Sequence, residues 1–338
     1  MSDCSRREFL KLSGIALARL ALLDVPLTTP RRQRDAPPAS LGRIANWHWQ
    51  AVRREPSPTA ERVAWCTYDE VIPLYAAVNG EAPWPSNPVW YLTDGGYIHS
   101  AFVQPVEDHP QSEVVTGVIP PGFWAQVSVP ITEARWRPGG PSVARKLYYS
   151  TVYRVVSAET DEEGGWWYRI QEGYSYSAGP YVPAASLRRI PGEELLPLSP
   201  GWAEKRIEVV IAEQTLTCFE DDNAVFSTRV STGVDGLITP RGEHRVLYKR
   251  HTQRMTGGSG EAAYDLPGVP FPVYITGRGV AIHGCYWHND YGQRHSHGCV
   301  NVTAEAAQWI FRWVEPLCSY DTVTQYAARG QGTPVRVV

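Results

Sequence analysis

The 338-residue chain has no excess of positive charge, since 35 acidic residues outnumber 32 lysines and arginines and the net charge is −3. Binding nucleic acid by phosphate neutralisation needs the opposite balance, so we expect no nucleic-acid partner. Beyond residue 23 the chain also lacks the run of about 18 apolar residues that a membrane-spanning helix needs. Hydrophobic residues nevertheless make up 43% of the chain, which argues against a disordered protein.

Aromatic residues and turn formers are abundant, with 13 Trp, 18 Tyr, 29 Gly and 28 Pro. Aromatic side chains favour strands, whereas Gly and Pro interrupt helices and mark turns. The composition therefore predicts a mainly β protein, and the length predicts two or three domains.

The first 30 residues contain "CSRREFLKLSGIALARLALL", in which Arg6 and Arg7 precede a short apolar run. This order resembles a twin-arginine export signal. It implies a protein exported to the cell wall, the periplasm or the exterior. The apolar run is interrupted by Arg19 and lacks a clear A-x-A cleavage site, so both removal and retention as a membrane attachment stay open.

Export makes the cysteine count informative. Cys4 belongs to the signal, and the remaining cysteines are Cys66, Cys218, Cys285, Cys299 and Cys318. In an oxidising compartment an odd number leaves at least one thiol unpaired, and such a thiol can be reactive.

The chain divides at stretches rich in Pro, Gly and Ser, which predict a linker at 31–48 and two small β-barrel modules at 49–108 and 109–195. Both modules contain a Trp-Tyr strand that leads into a similar end, "WYLTDGGYIHSAFV" and "WYRIQEGYSYSAGPYVPAASL". These ends resemble bacterial Src-homology-3-like modules, which often bind cell wall. An aromatic barrel core without any ligand explains the same pattern.

Residues 205–338 alternate β-formers with turns, such as "EDDN" between two strands, and contain one amphipathic helix after Thr303. The Gly-rich, aperiodic segment 251–268 predicts a loop over a functional site. We expect Lys249 and Arg254 on the solvated surface.

The segment "IHGCYWHNDYGQRHSHGCVNV" (282–302) concentrates four of the nine histidines and two of the six cysteines. A zinc site is one interpretation, but the one-residue spacings of its Cys and His do not match the common zinc frameworks, so we expect no metal and no cofactor. His288 and His295 are expected as solvated loop residues, and Tyr286 and Trp287 as packing residues.

A nucleophilic cysteine explains the same segment better. A thiol needs a nearby imidazole to become a good nucleophile, and His283, at a predicted strand end, can approach Cys299 from a neighbouring strand. The backbone N–H groups of Gly298 and Cys299 are candidates for holding an oxyanion.

The "SHGCVN" box (296–301), with "HG" (283–284) upstream, resembles the signature of the L,D-transpeptidase catalytic domain. The resemblance covers 205–338 and implies a β-sandwich with one short helix, acting on peptidoglycan stem peptides. It implies Cys299 as nucleophile, His283 as general base and acid, and the Gly284 carbonyl as the group that orients the imidazole. It further implies an oxyanion environment from His297, Gly298 and Cys299, a turn braced by Asn301, and a hydrogen bond from Ser296 near the thiolate.

The resemblance also implies a reaction in two steps. Cys299 attacks the third stem residue and releases D-Ala, and an amine of another stem then takes the thioester to give a 3→3 cross-link. Hydrolysis of the same bond and a wall-binding protein with an inactive domain are the alternatives. Carbapenems are expected to acylate Cys299, and a disulfide between Cys285 and Cys299 would silence the enzyme.

Overall fold

The computed structural model describes residues 38–171, 179–201, 204–258, 260 and 263–338. The expected export signal (1–30) lies outside the described residues, as does the first part of the expected linker. Within the described ranges, no helix has the length and apolar character needed to cross a membrane.

The first module consists of two small sheets, with strand orders β4-β1-β8 and β3-β2-β7-β6-β5. Its strands are β1 (Ser40–Ile44), β2 (Gln50–Arg53), β3 (Arg62–Cys66), β4 (Val71–Leu74), β5 (Ala76–Asn79), β6 (Val89–Thr93), β7 (Gly96–His99) and β8 (Val103–Val106). The Asp94-Gly95 turn joins β6 to β7, and Gly95 has a φ of 83°, which suits glycine in a two-residue hairpin turn.

Strand β1 lies inside the range 31–48 that the sequence predicted as a linker. Charged side chains usually lie at the surface, and the short "SLGRI" segment carries an arginine. Arg43 is instead fully buried, where its guanidinium bonds the side chains of Gln104 and Asp69. The predicted linker range thus contains a strand that pairs with β4 and β8.

The second module is one seven-stranded sheet, in the order β11-β10-β14-β13-β12-β9-β15. Its strands are β9 (Phe123–Val127), β10 (Ile131–Arg135), β11 (Val143–Tyr148), β12 (Val152–Thr160), β13 (Trp166–Gln171), β14 (Tyr181–Pro183) and β15 (Leu187–Arg189). In both modules the last two strands are joined by a 3-10 turn, Ser100–Phe102 and Ala184–Ser186. The two similar sequence ends thus share local structure, and the Src-homology-3-like assignment stays a prediction.

The C-terminal part contains two five-stranded sheets, β18-β17-β16-β27-β19 and β25-β24-β23-β20-β26. Its elements are β16 (Lys205–Val210), β17 (Thr215–Glu220), β18 (Asn223–Arg229), β19 (Gly242–Arg245), β20 (Tyr248–Arg250), β21 (Thr252–Gly257), β22 (Tyr264–Pro270), β23 (Val273–Tyr274), β24 (Ala281–Gly284), β25 (Val300–Val302), α1 (Ala304–Trp313), β26 (Thr324–Tyr326) and β27 (Pro334–Val337). Both sheets and α1 contribute to one apolar core. The predicted mainly β architecture, with one short helix near the C-terminal end, is confirmed.

The segment 251–268, predicted as a loop, is largely the hairpin β21–β22. Its register shifts between Gln253 and Met255, so an extra residue interrupts the regular alternation. That bulge explains why no two-residue period is visible in the sequence.

Helix α1 begins after Thr303, whose hydroxyl accepts a hydrogen bond from the Ala306 amide at 3.2 Å. Its C-terminal end is capped by a buried lysine. The ammonium of Lys249 donates to the carbonyls of Phe311 (2.6 Å) and Val314 (2.8 Å). Burial lowers the pKa of Lys249 to about 8, yet the group still carries its proton at neutral pH. The expectation of a solvated Lys249 was therefore wrong.

We expect Lys249→Met to lower the free energy of unfolding by about 2–4 kcal/mol, because two charged hydrogen bonds are lost and buried carbonyls become unpaired. Lys146→Met is the matched control, since Lys146 is half exposed and pairs with Asp69 on the surface side. Its loss should cost less than about 1 kcal/mol. Urea denaturation followed by circular dichroism measures both, and equal shifts would contradict the capping role.

Candidate active site

His283 is on β24, and its side chain is buried with 2% of its surface exposed. The ring Nδ1 lies 2.9 Å from the Gly284 carbonyl oxygen. A carbonyl only accepts, so Nδ1 carries the ring proton and Nε2 keeps its lone pair. Burial lowers the pKa of His283 to about 4, which the bond to Gly284 partly offsets. The imidazole is therefore neutral at pH 7, with Nε2 able to accept a proton.

Cys299 directly precedes β25, at the end of a tight turn. Cys66, Cys218, Cys285 and Cys318 are buried, whereas Cys299 is partly accessible to solvent. Its Sγ lies 3.8 Å from the Gly279 carbonyl oxygen. Burial of the thiol raises its pKa, and a hydrogen bond with the Ala281 backbone offsets part of that effect. The Cys299 side chain is therefore partly accessible to solvent, and its thiol is protonated at neutral pH.

Strands β24 and β25 are parallel neighbours, with His283 opposite Asn301 and Ile282 opposite Val300. Residues paired across neighbouring strands share a face, so His283 and Asn301 lie on the same face, and Cys299 lies two residues before Asn301. The parallel pairing thus places the strand that carries His283 beside the strand that follows Cys299. A neutral imidazole and a neutral thiol suit general-base activation better than a resting ion pair.

The turn before Cys299 is closed by Ser296. Its hydroxyl donates to the Cys299 carbonyl at 2.5 Å and accepts from the Gly298 amide at 3.1 Å. Gly298 has a φ of 118°, a conformation that side chains disfavour. Ser296 thus braces the turn through the Cys299 carbonyl. The Gly298 amide is engaged by Ser296, so the Cys299 amide is the better candidate for an oxyanion donor.

His297 is exposed, and its ring lies 5.2 Å from that of Tyr264 at the start of β22. The sequence placed His297 in the oxyanion environment, and the structure adds that its side chain faces the tip of the β21–β22 hairpin. The hairpin thus covers one side of the turn that carries Cys299.

Asn301 lies beneath the turn and is buried, with 1% of its surface exposed. Its backbone exchanges two 2.9 Å hydrogen bonds with Ser231. Its side-chain amide lies 3.0 Å from Nε2 of His288. Asn301 thus ties β25 to the "STG" segment, which agrees with a bracing role. His288 is buried and not a solvated loop residue, so that expectation was wrong.

Cys285 and Cys299 lie at opposite ends of the β24–β25 pair. The Cys285 amide bonds the Val302 carbonyl, which puts this cysteine past the end of the register. Four residues of offset at about 3.3 Å each separate it from Cys299 by about 13 Å. A disulfide needs Cα atoms within about 7 Å, so the fold does not allow the hypothesised Cys285–Cys299 pair.

The ring of Trp287, expected as a packing residue, lies 5.8 Å from that of His283. Other residues near the turn were missed by sequence reasoning. The exposed Leu237 and Ile238 belong to a loop whose carbonyls come within 4 Å of the space beside Gly298. Tyr264 lies in the segment predicted as a loop, where no period marked it. The described ranges contain no group of three or more His, Cys, Asp or Glu arranged to hold a metal ion.

Comparison with known families gives one match, in which residues 204–337 fit the L,D-transpeptidase catalytic domain. This confirms the resemblance drawn from the "SHGCVN" box, and the match lies in the C-terminal part of the chain and covers less than half of it.

Solved structures that resemble the chain include three L,D-transpeptidases. The Enterococcus faecium enzyme is 26% identical over 40% of this chain and 50% of its own, with a TM-score of 0.33. The Mycobacterium smegmatis enzyme is 24% identical over 55% of this chain and 82% of its own, also with a TM-score of 0.33. L,D-transpeptidase 3 of Mycobacterium tuberculosis is 17% identical over 66% of this chain and 98% of its own, again with a TM-score of 0.33. The chain thus spans about half the length of the Enterococcus faecium enzyme. Curated proteins give no match.

We expect Cys299 to be the fastest of the five described cysteines to react with iodoacetamide in the folded protein, because the other four are buried. Mass spectrometry of peptides from a Cys4→Ser background locates the label. Unfolding in urea should equalise the rates. Labelling of Cys285 or Cys66 at the rate of Cys299 before unfolding would contradict the described burial.

Proposed function

We propose that the protein is a peptidoglycan L,D-transpeptidase with Cys299 as nucleophile and His283 as general base and acid. The observation that supports the proposal is the parallel register that brings the strand of His283, with Nδ1 bonded to the Gly284 carbonyl, beside the strand that follows Cys299, the one partly accessible thiol among the described cysteines. The domain match at residues 204–337 supports the class of reaction.

In the first step the Cys299 sulfur attacks the carbonyl carbon of the third stem residue, while its proton passes to Nε2 of His283. The Cys299 amide donates to the oxygen that becomes negative. Collapse of this intermediate breaks the C–N bond, and His283 returns the proton to the departing amino group of D-Ala. The product that stays on the enzyme is a thioester.

In the second step an amine of another stem attacks the thioester carbon. His283 takes a proton from that amine, the carbon–sulfur bond breaks, and the sulfur is reprotonated. The Gly284 carbonyl stabilises the transient imidazolium through Nδ1–H, the role that a carboxylate has in other triads. The result is a 3→3 cross-link.

Hydrolysis of the thioester by water is the second candidate, because the same acyl-enzyme precedes both outcomes. A wall-binding protein with an inactive domain is the third. The wall-binding candidate is supported by the exposed rings of Trp47, Trp49 and Trp65 in the first module. We further propose export through the twin-arginine segment.

The proposal is tested by incubating the protein with disaccharide-tetrapeptide and weighing the products. Dimers lacking one D-Ala indicate transfer, whereas tripeptides indicate hydrolysis. Cys299→Ala should abolish D-Ala release, and His283→Gln should reduce it at least about a hundred-fold, the contribution of a general base. Binding to isolated walls by both variants, with D-Ala release unchanged, would overturn the enzymatic proposal.

The pH dependence of kcat/KM should have its acid limb near pH 4, because His283 accepts a proton only when neutral and burial lowers its pKa to about 4. Activity is therefore expected to be complete by about pH 5–6 and to fall below that range as the imidazole becomes charged. Circular dichroism at each pH separates titration from unfolding. An acid limb at about 6.5, the ordinary value for histidine, would contradict the buried base.

Carbapenems should acylate the same thiol. Incubation of the wild-type protein with a carbapenem is expected to add the mass of the drug to the peptide that contains Cys299. The Cys299→Ala protein is the control and should gain no mass. Modification at a different cysteine would argue against Cys299 as the nucleophile.

A further inference from the structure

The segment 285–295, which we call the connector, joins His283 to the turn that carries Cys299. It is held by the first module through contacts along most of its length. The contacts run from Arg43 to the Tyr286 carbonyl, from Trp84 to Asp290 at 3.0 Å, from the Asn289 amide to the Ala101 carbonyl at 3.2 Å, and from Gln293 to Ser86. A separate module thus contacts the connection between the two proposed reacting residues.

Asp290 is the centre of these contacts and is buried, with 5% of its surface exposed. One carboxylate oxygen accepts from the indole N–H of Trp84 at 3.0 Å, and the other lies 2.9 Å from Nε2 of His295. Its carbonyl accepts from the Ser231 hydroxyl at 3.0 Å. Its amide donates to Nδ1 of His288 at 3.2 Å. Asp290 therefore links the first module to both histidines of the connector.

The bond from Asp290 decides which way the Asn301 amide faces. Burial holds the pKa of His288 well below its usual value, so its ring is neutral. Since Nδ1 accepts from the Asp290 amide, Nε2 carries the ring proton. The Asn301 atom 3.0 Å from Nε2 is the amide nitrogen, which is itself a donor, so the amide must turn over to accept the Nε2 proton through its oxygen. Its NH₂ then takes the buried position of Oδ1, an atom that has no hydrogen-bond partner among the described residues.

We propose that Trp84, Asp290 and His288 form a positioning relay for the cysteine site. The relay fixes the orientation of Asn301, which is opposite His283 and two residues from Cys299. The first module is then part of the working active site and not only an attachment to the wall. This inference rests on the proposed function.

The relay predicts that loss of one indole N–H in the first module slows the chemistry. Trp84→Phe keeps an aromatic ring against His99 and removes the donor to Asp290. We expect kcat to fall about ten-fold, as for the loss of outer partners of a catalytic group. KM should be unchanged because the relay does not touch the substrate. Alkylation of Cys299 by iodoacetamide should slow with kcat.

Trp90→Phe is the matched control. The Trp90 ring lies 5.0 Å from His99, as the Trp84 ring does, but its N–H donates within the module, to the Glu81 carbonyl at 3.0 Å. It should lower the melting temperature to a similar extent and leave kcat and the alkylation rate as in the wild type. Equal kcat values for the two variants would overturn the relay. An inactive wild type that still alkylates at Cys299 would overturn the proposed function instead.

A second pair of variants tests the relay without altering the first module. His288→Gln keeps an N–H donor for Asn301, whereas His288→Met fills similar space without one. We expect the glutamine variant to retain kcat within about three-fold and the methionine variant to lose about ten-fold. Equal losses in both variants, or none in either, would overturn the proposal even if Trp84→Phe does not fold.

Discussion

The parallel pairing of β24 with β25 is the constraint on which the candidate site depends. These two short strands are close together both in the sheet and in the sequence. The connector joins them without a helix. Their register puts His283 opposite Asn301, and the turn that precedes β25 presents Cys299. A shift of one residue would move these side chains to the opposite face. The main-chain ladder therefore decides which residues lie side by side at the candidate site.

Burial sets the chemistry of the pair. It lowers the pKa of His283 and raises that of Cys299, so both groups are neutral before substrate binds. Separated charges are costly in such an environment, and they would form only as the thiol transfers its proton. The bond between Nδ1 and the Gly284 carbonyl selects the reactive tautomer without a carboxylate. In the proposed mechanism, desolvation and one backbone group would thus supply the base.

Buried polar groups also join the modules. Arg43 and Trp84 of the first module donate to Tyr286 and Asp290 of the connector. In the second module, Trp124 stacks on His251 at 4.4 Å and extends the core of the C-terminal sandwich. Such groups are costly to bury unless their partners are in place. The contacts therefore favour one arrangement of the modules around the site.

Sequence alone determined the mainly β class, the capped helix after Thr303 and the identity of Cys299 and His283 as candidates, because periodicity, capping and a short motif are local. The sequence did not predict burial where a distant residue supplies the hydrogen-bond partner. Nothing near Arg43, Lys249 or His288 indicates that each is buried, since their hydrogen-bond partners lie far away or on another strand. The engagement of the Gly298 amide, the separation of Cys285 from Cys299 and the contact of the first module with the connector were decided only by the tertiary structure. Register and packing specify these features, and neither is encoded in a local pattern.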